Sequence, residues 1–421
     1  MLRNLRLEIY IGVATVSALI LLPSSSHAQQ SYKLNQELQF DDSTGSIPLT
    51  GNLLYLTQQL FGATYAGGSL VDANGNAAGL SDLGEIFQFI PAAPFIGTLH
   101  GFSGPDGAHP NGSLVADSQG SLYGTTQIGG ANNLGTVFKL SPPASTGQAW
   151  TLTTLHSFSG SDGANPAAGV TIGPNGNLYG TTMNGGPSPS RIGGSAYTLS
   201  TSGTMFNVLP LPQGCVGSQS NVVVDPTGNV IGTTQFGPEP TDFSGCMFKI
   251  APNGTATILT QYGEAPQFGG VAIGEPVGNI VRDAIGNIYG MAELAQRNTP
   301  SSAPGIAVYK RDTTTKDLIV LAVLDGLQSQ SGVVRDGNGT LYGTTINGGT
   351  GGIGSVFSVS ASGVVTTLAS LSAANLAPVG GVVLDPTGNL WGTSSLGGDV
   401  VCTTASSVVP VGCGTIFSLS R

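Results

Sequence analysis

The chain has 421 residues, of which 65 are Gly and 25 Pro, with 40% hydrophobic and only 9% charged residues and a formal net charge of -10. That apolar content excludes a disordered chain, and the Gly and Pro suit short strands joined by tight turns. The acidic balance and the absence of any Lys/Arg cluster argue against a nucleic-acid partner and against an anionic membrane surface.

The chain opens on a segment that reads as targeting. Arg3 and Arg6 precede a mostly apolar run from Ile9 to Leu22, and Ser26-His27-Ala28 puts small residues where a signal peptidase reads. Residues 1–28 are expected to be a signal peptide, leaving 29–421 to fold. The run is short for a membrane span, no Cys follows it, and no second such stretch occurs. A secreted or periplasmic protein without stable membrane insertion is expected, acting as a monomer. Four Cys in an exported chain invite pairing. Three pairings are possible. Cys402 with Cys413, which lie in one loop, leaves Cys215 with Cys246, and closing so short a loop stabilises by about 2–3 kcal/mol.

From residue 60 onward one unit recurs. Leu122-Tyr123-Gly124-Thr125-Thr126 returns unchanged at 178–182 and 341–345, and with substitutions at 60–64, 230–234, 288–292 and 390–394. Each unit starts with a β-branched run, such as Gly169 to Ile172. An Asp-x-x-Gly-Asn turn or a close variant of it follows, as at Asp225, Asp283, Asp336 (which ends on Thr340) and Asp385, where Asp caps and Gly supplies positive φ. The Leu-Tyr-Gly-Thr-Thr segment is the second strand. The third opens on Gly, as in Gly135-Thr136-Val137-Phe138, and the fourth reads like Thr153 to Phe158.

The second-strand aromatics, or their Ile substitute, step by 62, 56, 52, 58, 53 and 49 residues from Phe61 to Trp391. Seven four-stranded units of this size predict an all-β fold, a seven-bladed β-propeller of antiparallel blades. After Phe417 only Ser418 to Arg421 remain, so the last unit lacks its fourth strand, whereas the front of the mature chain carries a spare one, Lys33 to Phe40. Residues 33–40 are therefore expected to complete the seventh blade and close the ring, which removes two sheet edges.

Leu-Tyr-Gly-Thr-Thr, the Gly-Gly loops, Gly135 to Leu140 and Thr154 to Phe158 resemble the GloVer tandem repeat of exported, choice-of-anchor bacterial proteins over nearly the whole mature chain. The Val-x-Val-Asp-x-x-Gly-Asn pattern is similar, more distantly, to NHL-type and strictosidine-synthase-like propellers. The resemblance implies export and repeat architecture and carries no activity.

The insertions 66–83, 293–304 and 396–413 are expected to crowd one face, where loops on a rigid scaffold carry binding residues. They are rich in Gly, Ser, Thr, Asn and Pro, which suits a neutral glycan or a protein ligand. Asp106-Gly-Ala-His109-Pro and Asp162-Gly-Ala-Asn165-Pro fill equivalent blade-to-blade turns. With Asp41 and Asp42, these residues are the candidates for a ligand hydroxyl or Ca²⁺, although side-chain-capped turns explain the pattern as well. The segment 72–76 starts like a calcium loop but lacks the closing Glu. Asn111, Asn253 and Asn338 match glycosylation sequons and read as Asn-Gly turns. No nucleophile, zinc, phosphate-loop or dinucleotide motif occurs, and no cofactor is implied. Two functions are therefore carried forward: a binding or scaffolding propeller, and a lyase or hydrolase acting on a polysaccharide or lactone, with or without Ca²⁺ assistance.

Overall fold

Asp117 shows why the repeated hairpin forms. Its Oδ1 accepts the N–H groups of Gln119 and Ser121, both at 2.9 Å, and its Oδ2 accepts the Tyr123 hydroxyl at 2.8 Å. One carboxylate thus closes the turn and pins the aromatic of the second strand. The aromatic contact recurs at Asp283 with Tyr289, Asp336 with Tyr342 and Asp385 with Trp391. Asp225 faces Ile231 instead, and binds the Asn229 amide at 2.7 Å.

A computed structural model describes residues 32–421 apart from 42–47, 49–50, 68, 72–76, 81, 146, 188–192, 238–244, 264–271, 296–304, 326–330, 373–376, 398–401, 405–406 and 410–412. The expected signal peptide, Asp42 and the 72–76 segment lie outside the described residues. Among the described residues there is no helix, and so none long and apolar enough to cross a membrane.

Seven antiparallel sheets follow one another along the chain. The third blade, for example, orders Thr171–Ile172, Leu178–Thr181, Ala196–Leu199 and Phe206–Leu209 from one edge to the other. In the seventh, Lys33–Gln39 pairs antiparallel with Thr415–Ser420, which pairs with Leu390–Ser394 and then Val382–Leu384. The front strand closes the ring as the spacing predicts. Two small hairpins, Ser69–Val71 with Ala77–Leu80 and Cys402–Thr404 with Ser407–Val409, lie inside insertions.

Several first strands are shorter than their β-branched runs suggest, such as Thr171–Ile172 and Val223–Val224, whereas that of the fifth blade runs over Ala272–Arg282. In the second blade this strand is split into Ala108–Pro110 and Val115–Ala116. The residues between them leave the sheet because they abut the next blade. A Cβ on Gly112 would stand 2.0 Å from Gly169 N, and that position has φ +92°, so backbone contact there requires Gly.

Each core cluster draws on two neighbouring blades. Phe61, Ile86 and Leu99 of the first pack with Leu114, Leu122, Phe138 and Leu140 of the second. The joint between the ends is packed in the same way: Leu60, Phe87 and Phe89 meet Trp391 and Ile416 around the fully buried Phe40. Burying such a side chain is worth about 1.5–3 kcal/mol, so closure is a hydrophobic seam as well as a strand pairing.

Candidate functional site

The paired threonines of the repeat are seam fasteners. Thr125 Oγ1 donates to Ala168 O of the next blade at 2.8 Å, Thr181 to Ser220 O at 3.2 Å, and Thr344 to Pro378 O at 3.1 Å. The following hydroxyl pairs within its own blade: Thr126 with Thr136 at 2.8 Å, Thr182 with Ser195 at 3.1 Å, Thr345 with Ser355 at 2.9 Å and Ser394 with Thr415 at 2.7 Å. All eight are buried. They are committed to the fold, and the chemistry must lie beyond them.

Immediately after this hydroxyl pair comes Tyr65, Gln127, Met183, Gln235, Glu293, Ile346 or Ser395, a different setting in almost every blade. The blade-to-blade turns supply a second such position, the residue before a Pro that abuts the third strand. A Cβ on Gly135 would meet Pro166 Cδ at 2.6 Å, and the same approach recurs for Gly84 with Pro110, Gly245 with Pro276 and Gly354 with Pro378. His109, Asn165, Glu275 and Ala377 are therefore equivalent. Three of them share a left-handed backbone, with φ +53°, +53° and +52° for His109, Asn165 and Ala377.

These two positions join into an arc over five blades. The His109 ring stacks on Tyr65 at 4.3 Å between centroids, and its Nδ1 donates to Tyr65 O at 2.8 Å, making Nε2 the acceptor of the neutral ring. Tyr65 donates to Gln127 Oε1 at 3.2 Å, Asn165 Nδ2 to Gln127 O at 3.1 Å, and Asn184 Nδ2 to Asn165 Oδ1 at 3.3 Å. Gln219 Nε2 reaches Gln235 Oε1 at 2.9 Å, and Gln235 Nε2 reaches Glu275 Oε2 at 2.9 Å. Beside Glu275, burial together with that neighbour's charge pushes the Glu293 carboxyl up.

A second polar group lies on the axis, where each first strand enters. The residue there is Asn52, Ser113, Gly169, Asn221, Asn279, Gly332 or Gly381 in successive blades. Asn52 N donates to Ser113 Oγ at 2.9 Å, Asn221 N to Asn279 Oδ1 at 3.0 Å, and Asn279 Nδ2 reaches across the ring to Ser113 Oγ at 3.5 Å.

Of the residues singled out from sequence, His109 and Asn165 stand in the arc. Asp106 and Asp162 do not. Asp106 accepts His100 Nε2 at 2.9 Å and the N–H and hydroxyl of Ser103, also at 2.9 Å; Asp162 does the same with His156 and Ser159. Serine and imidazole both address the carboxylate and not each other, so the hydroxyl is not activated as a nucleophile. Burial tends to raise the Asp106 carboxyl, but these hydrogen bonds outweigh it and hold it below the usual range. Asp41 follows Phe40, whose N–H bonds Gly414 O as Phe158 bonds Gly135 O, so it belongs to the closing joint. Among the described residues no three His, Cys, Asp or Glu converge as a metal cluster.

Cys215 and Cys246 form the disulfide expected, with Cα atoms 5.8 Å apart, tying the turn between the third and fourth blades to a third strand. Cys413 is buried and disulfide-bonded as well, whereas the Cys402 side chain lies outside the described residues. Sequence reasoning missed Glu275 and Glu293. The signal was present in the one unit that reads Ile288-Tyr-Gly-Met-Ala292 and so drops both threonines.

The family model described as the Gloeobacter/Verrucomicrobia repeat matches residues 26–171, 144–327 and 218–421. No curated protein matches. Among solved structures, a luciferin-regenerating enzyme is similar at 12% identity over 93% of this chain and 96% of that one, with a TM-score of 0.42. A candidate gluconolactonase is similar at 10% over 93% and 92%, also at 0.42. TolB from Acinetobacter baumannii is similar at 16% over 66% and 58%, at 0.39.

Proposed function

This chain belongs to the Gloeobacter/Verrucomicrobia repeat family, and we propose that it is an exported binding module whose loop-rich face takes a neutral, hydroxyl-rich ligand of the glycan class. The observation that carries this reading is the arc from Tyr65 to Gln235. It offers stacked rings for an apolar sugar face and amide groups that both donate and accept, the pairing that neutral hydroxyls need. The constant scaffold supports it: two positions vary from blade to blade while the seams beneath them repeat.

A glycan array probed with the purified protein, followed by calorimetric titration of any hit, tests the proposal. Saturable binding that His109→Ala and Gln127→Ala each weaken by about tenfold supports it. Binding that both variants leave intact, or no binding to any glycan on the array, defeats it.

A second reading, hydrolysis or lysis of a bound saccharide or lactone, is favoured by one observation, the raised carboxyl of Glu293 beside Glu275. A raised carboxyl lies closer to the protonated form in which such a group serves as a general acid. Turnover of a bound glycan that disappears in Glu293→Gln with binding unchanged would favour this reading over simple binding.

A further inference from the structure

The arc is continuous from the first blade to the fifth. One run of contacts leads from His109 through Tyr65 and Gln127 to Asn165 and Asn184. Another leads from Gln219 through Gln235 to Glu275. The two meet at Met183, whose N–H bonds Asn165 O at 3.2 Å and whose sulfur lies 3.9 Å from Gln219 Nε2. All of these residues are partly or fully open to solvent. The arc is therefore a surface track that passes from blade to blade and not a pocket at one of them.

The axis beside it is shut. Where the first strands enter, Asn279 Nδ2 of the fifth blade stands 3.5 Å from Ser113 Oγ of the second. Neighbouring first strands meet backbone to backbone: a Cβ on Gly112 would lie 2.0 Å from Gly169 N, and one on Gly278 would lie 2.0 Å from Gly332 N. A chain end finds no axial socket among these residues, so a ligand held by the arc lies along it. The blades follow one another around a closed ring of seven sheets, and each step turns the track by one seventh of a circle. From the first blade to the fifth it bends through more than half a turn. Packed sheets stand about 10 Å apart, which makes the path on the order of 30–40 Å, several sugar units long.

Resting on the reading of the arc as a glycan site, we propose that the ligand is an internal stretch of a coiling neutral glucan, α-1,4- or β-1,3-linked, that follows the ring over several blades. These linkages curve a chain steadily in one direction. A β-1,4-linked glucan is a straight ribbon, which would touch such a track at one place and leave it. Binding is then a series of weak contacts, and each unit already held keeps the next one near its blade. Affinity grows with the number of units engaged.

The purified full chain is titrated by calorimetry with maltose and maltoheptaose, with laminaribiose and laminariheptaose, and with cellohexaose. One heptamer should bind at least about tenfold tighter than its own disaccharide and than cellohexaose, and which one it is identifies the linkage. The matching polymer, soluble starch or laminarin, is poor in chain ends and should displace that heptamer at least as well per sugar unit. His109→Ala and Gln235→Ala, toward opposite ends of the arc, should each weaken the heptamer by about fivefold or more. A disaccharide as tight as its heptamer, cellohexaose as tight as either heptamer, a requirement for chain ends, or a heptamer indifferent to either variant would overturn the inference and leave glycan binding itself standing. If an array yields a glycan hit and neither heptamer binds, the inference again falls alone. No binding to any glycan removes both.

Discussion

The hairpin face and the loop face are built by the same seven repeats and follow opposite rules. On the hairpin face Asp117, Asp225, Asp283, Asp336 and Asp385 recur with the same two backbone partners each time, four residues apart at most. On the loop face, Tyr65, Gln127, Met183, Gln235 and Glu293 follow one another at a single position, as do His109, Asn165 and Glu275 at another. Where a side chain satisfies backbone donors, changing it costs the hairpin. Where it projects past the seams, the blade forms regardless. The comparison teaches that the conspicuous residues of the repeat are the scaffold and the inconspicuous ones are available for recognition.

The largest expected effect concerns how the loop face is held. Joining residues separated by 31 positions, the Cys215–Cys246 bridge stabilises by about 3–4 kcal/mol in the chain-entropy model. Cys215→Ser with Cys246→Ser should lower the denaturation midpoint accordingly, and an unchanged midpoint would mean that the turn is held by packing alone.

Next is Asp283→Ala on the hairpin face. This carboxylate accepts from Ile285 N, Asn287 N, Asn287 Nδ2 and Tyr289 Oη within a nearly buried turn, so its loss should cost about 2–3 kcal/mol. Urea denaturation measures it. Ligand affinity should stay the same, which separates the two faces.

Acid sharpens the contrast. For Asp117, Asp225, Asp283 and Asp385, burial tends to raise the carboxyls, but hydrogen bonds outweigh it and hold them below the usual range. A depressed folded pKa gives stability that is complete above the unfolded value, about 4, and is lost as pH falls through the folded one. The thermal midpoint should therefore drop steeply below about pH 4, and less steeply in Asp283→Ala. At His156 burial outweighs Asp162 and lowers the imidazole, so protonation favours the unfolded chain. Stability should start to decline as pH falls below about 6.5, a shallow limb that His156→Phe removes.

Smallest is the effect on stability at the arc. Glu293 is raised, so between its unfolded and folded values the native state binds the extra proton and stability declines as pH rises. Glu293→Gln should raise the thermal midpoint slightly at neutral pH, measurable by calorimetry, whereas a marked fall would make Glu293 a structural residue.

Much of this architecture was legible in the chain. Seven copies of one unit set the number of blades, because a unit that buries both faces must stack on its like. The leftover strand 33–40 found the gap after Phe417 because an open sheet edge and a spare strand satisfy the same hydrogen bonds. The capping role of the turn aspartates followed from spacing, since donor and acceptor lie within four residues. Only the folded ring could assemble the arc and the axial cluster. Gln235 and Glu275 are 40 residues apart, and Asn279 and Ser113 are 166 apart. No local pattern links them, because their meeting depends on how far each blade turns from the last, and backbone packing at the glycines of the axis determines that.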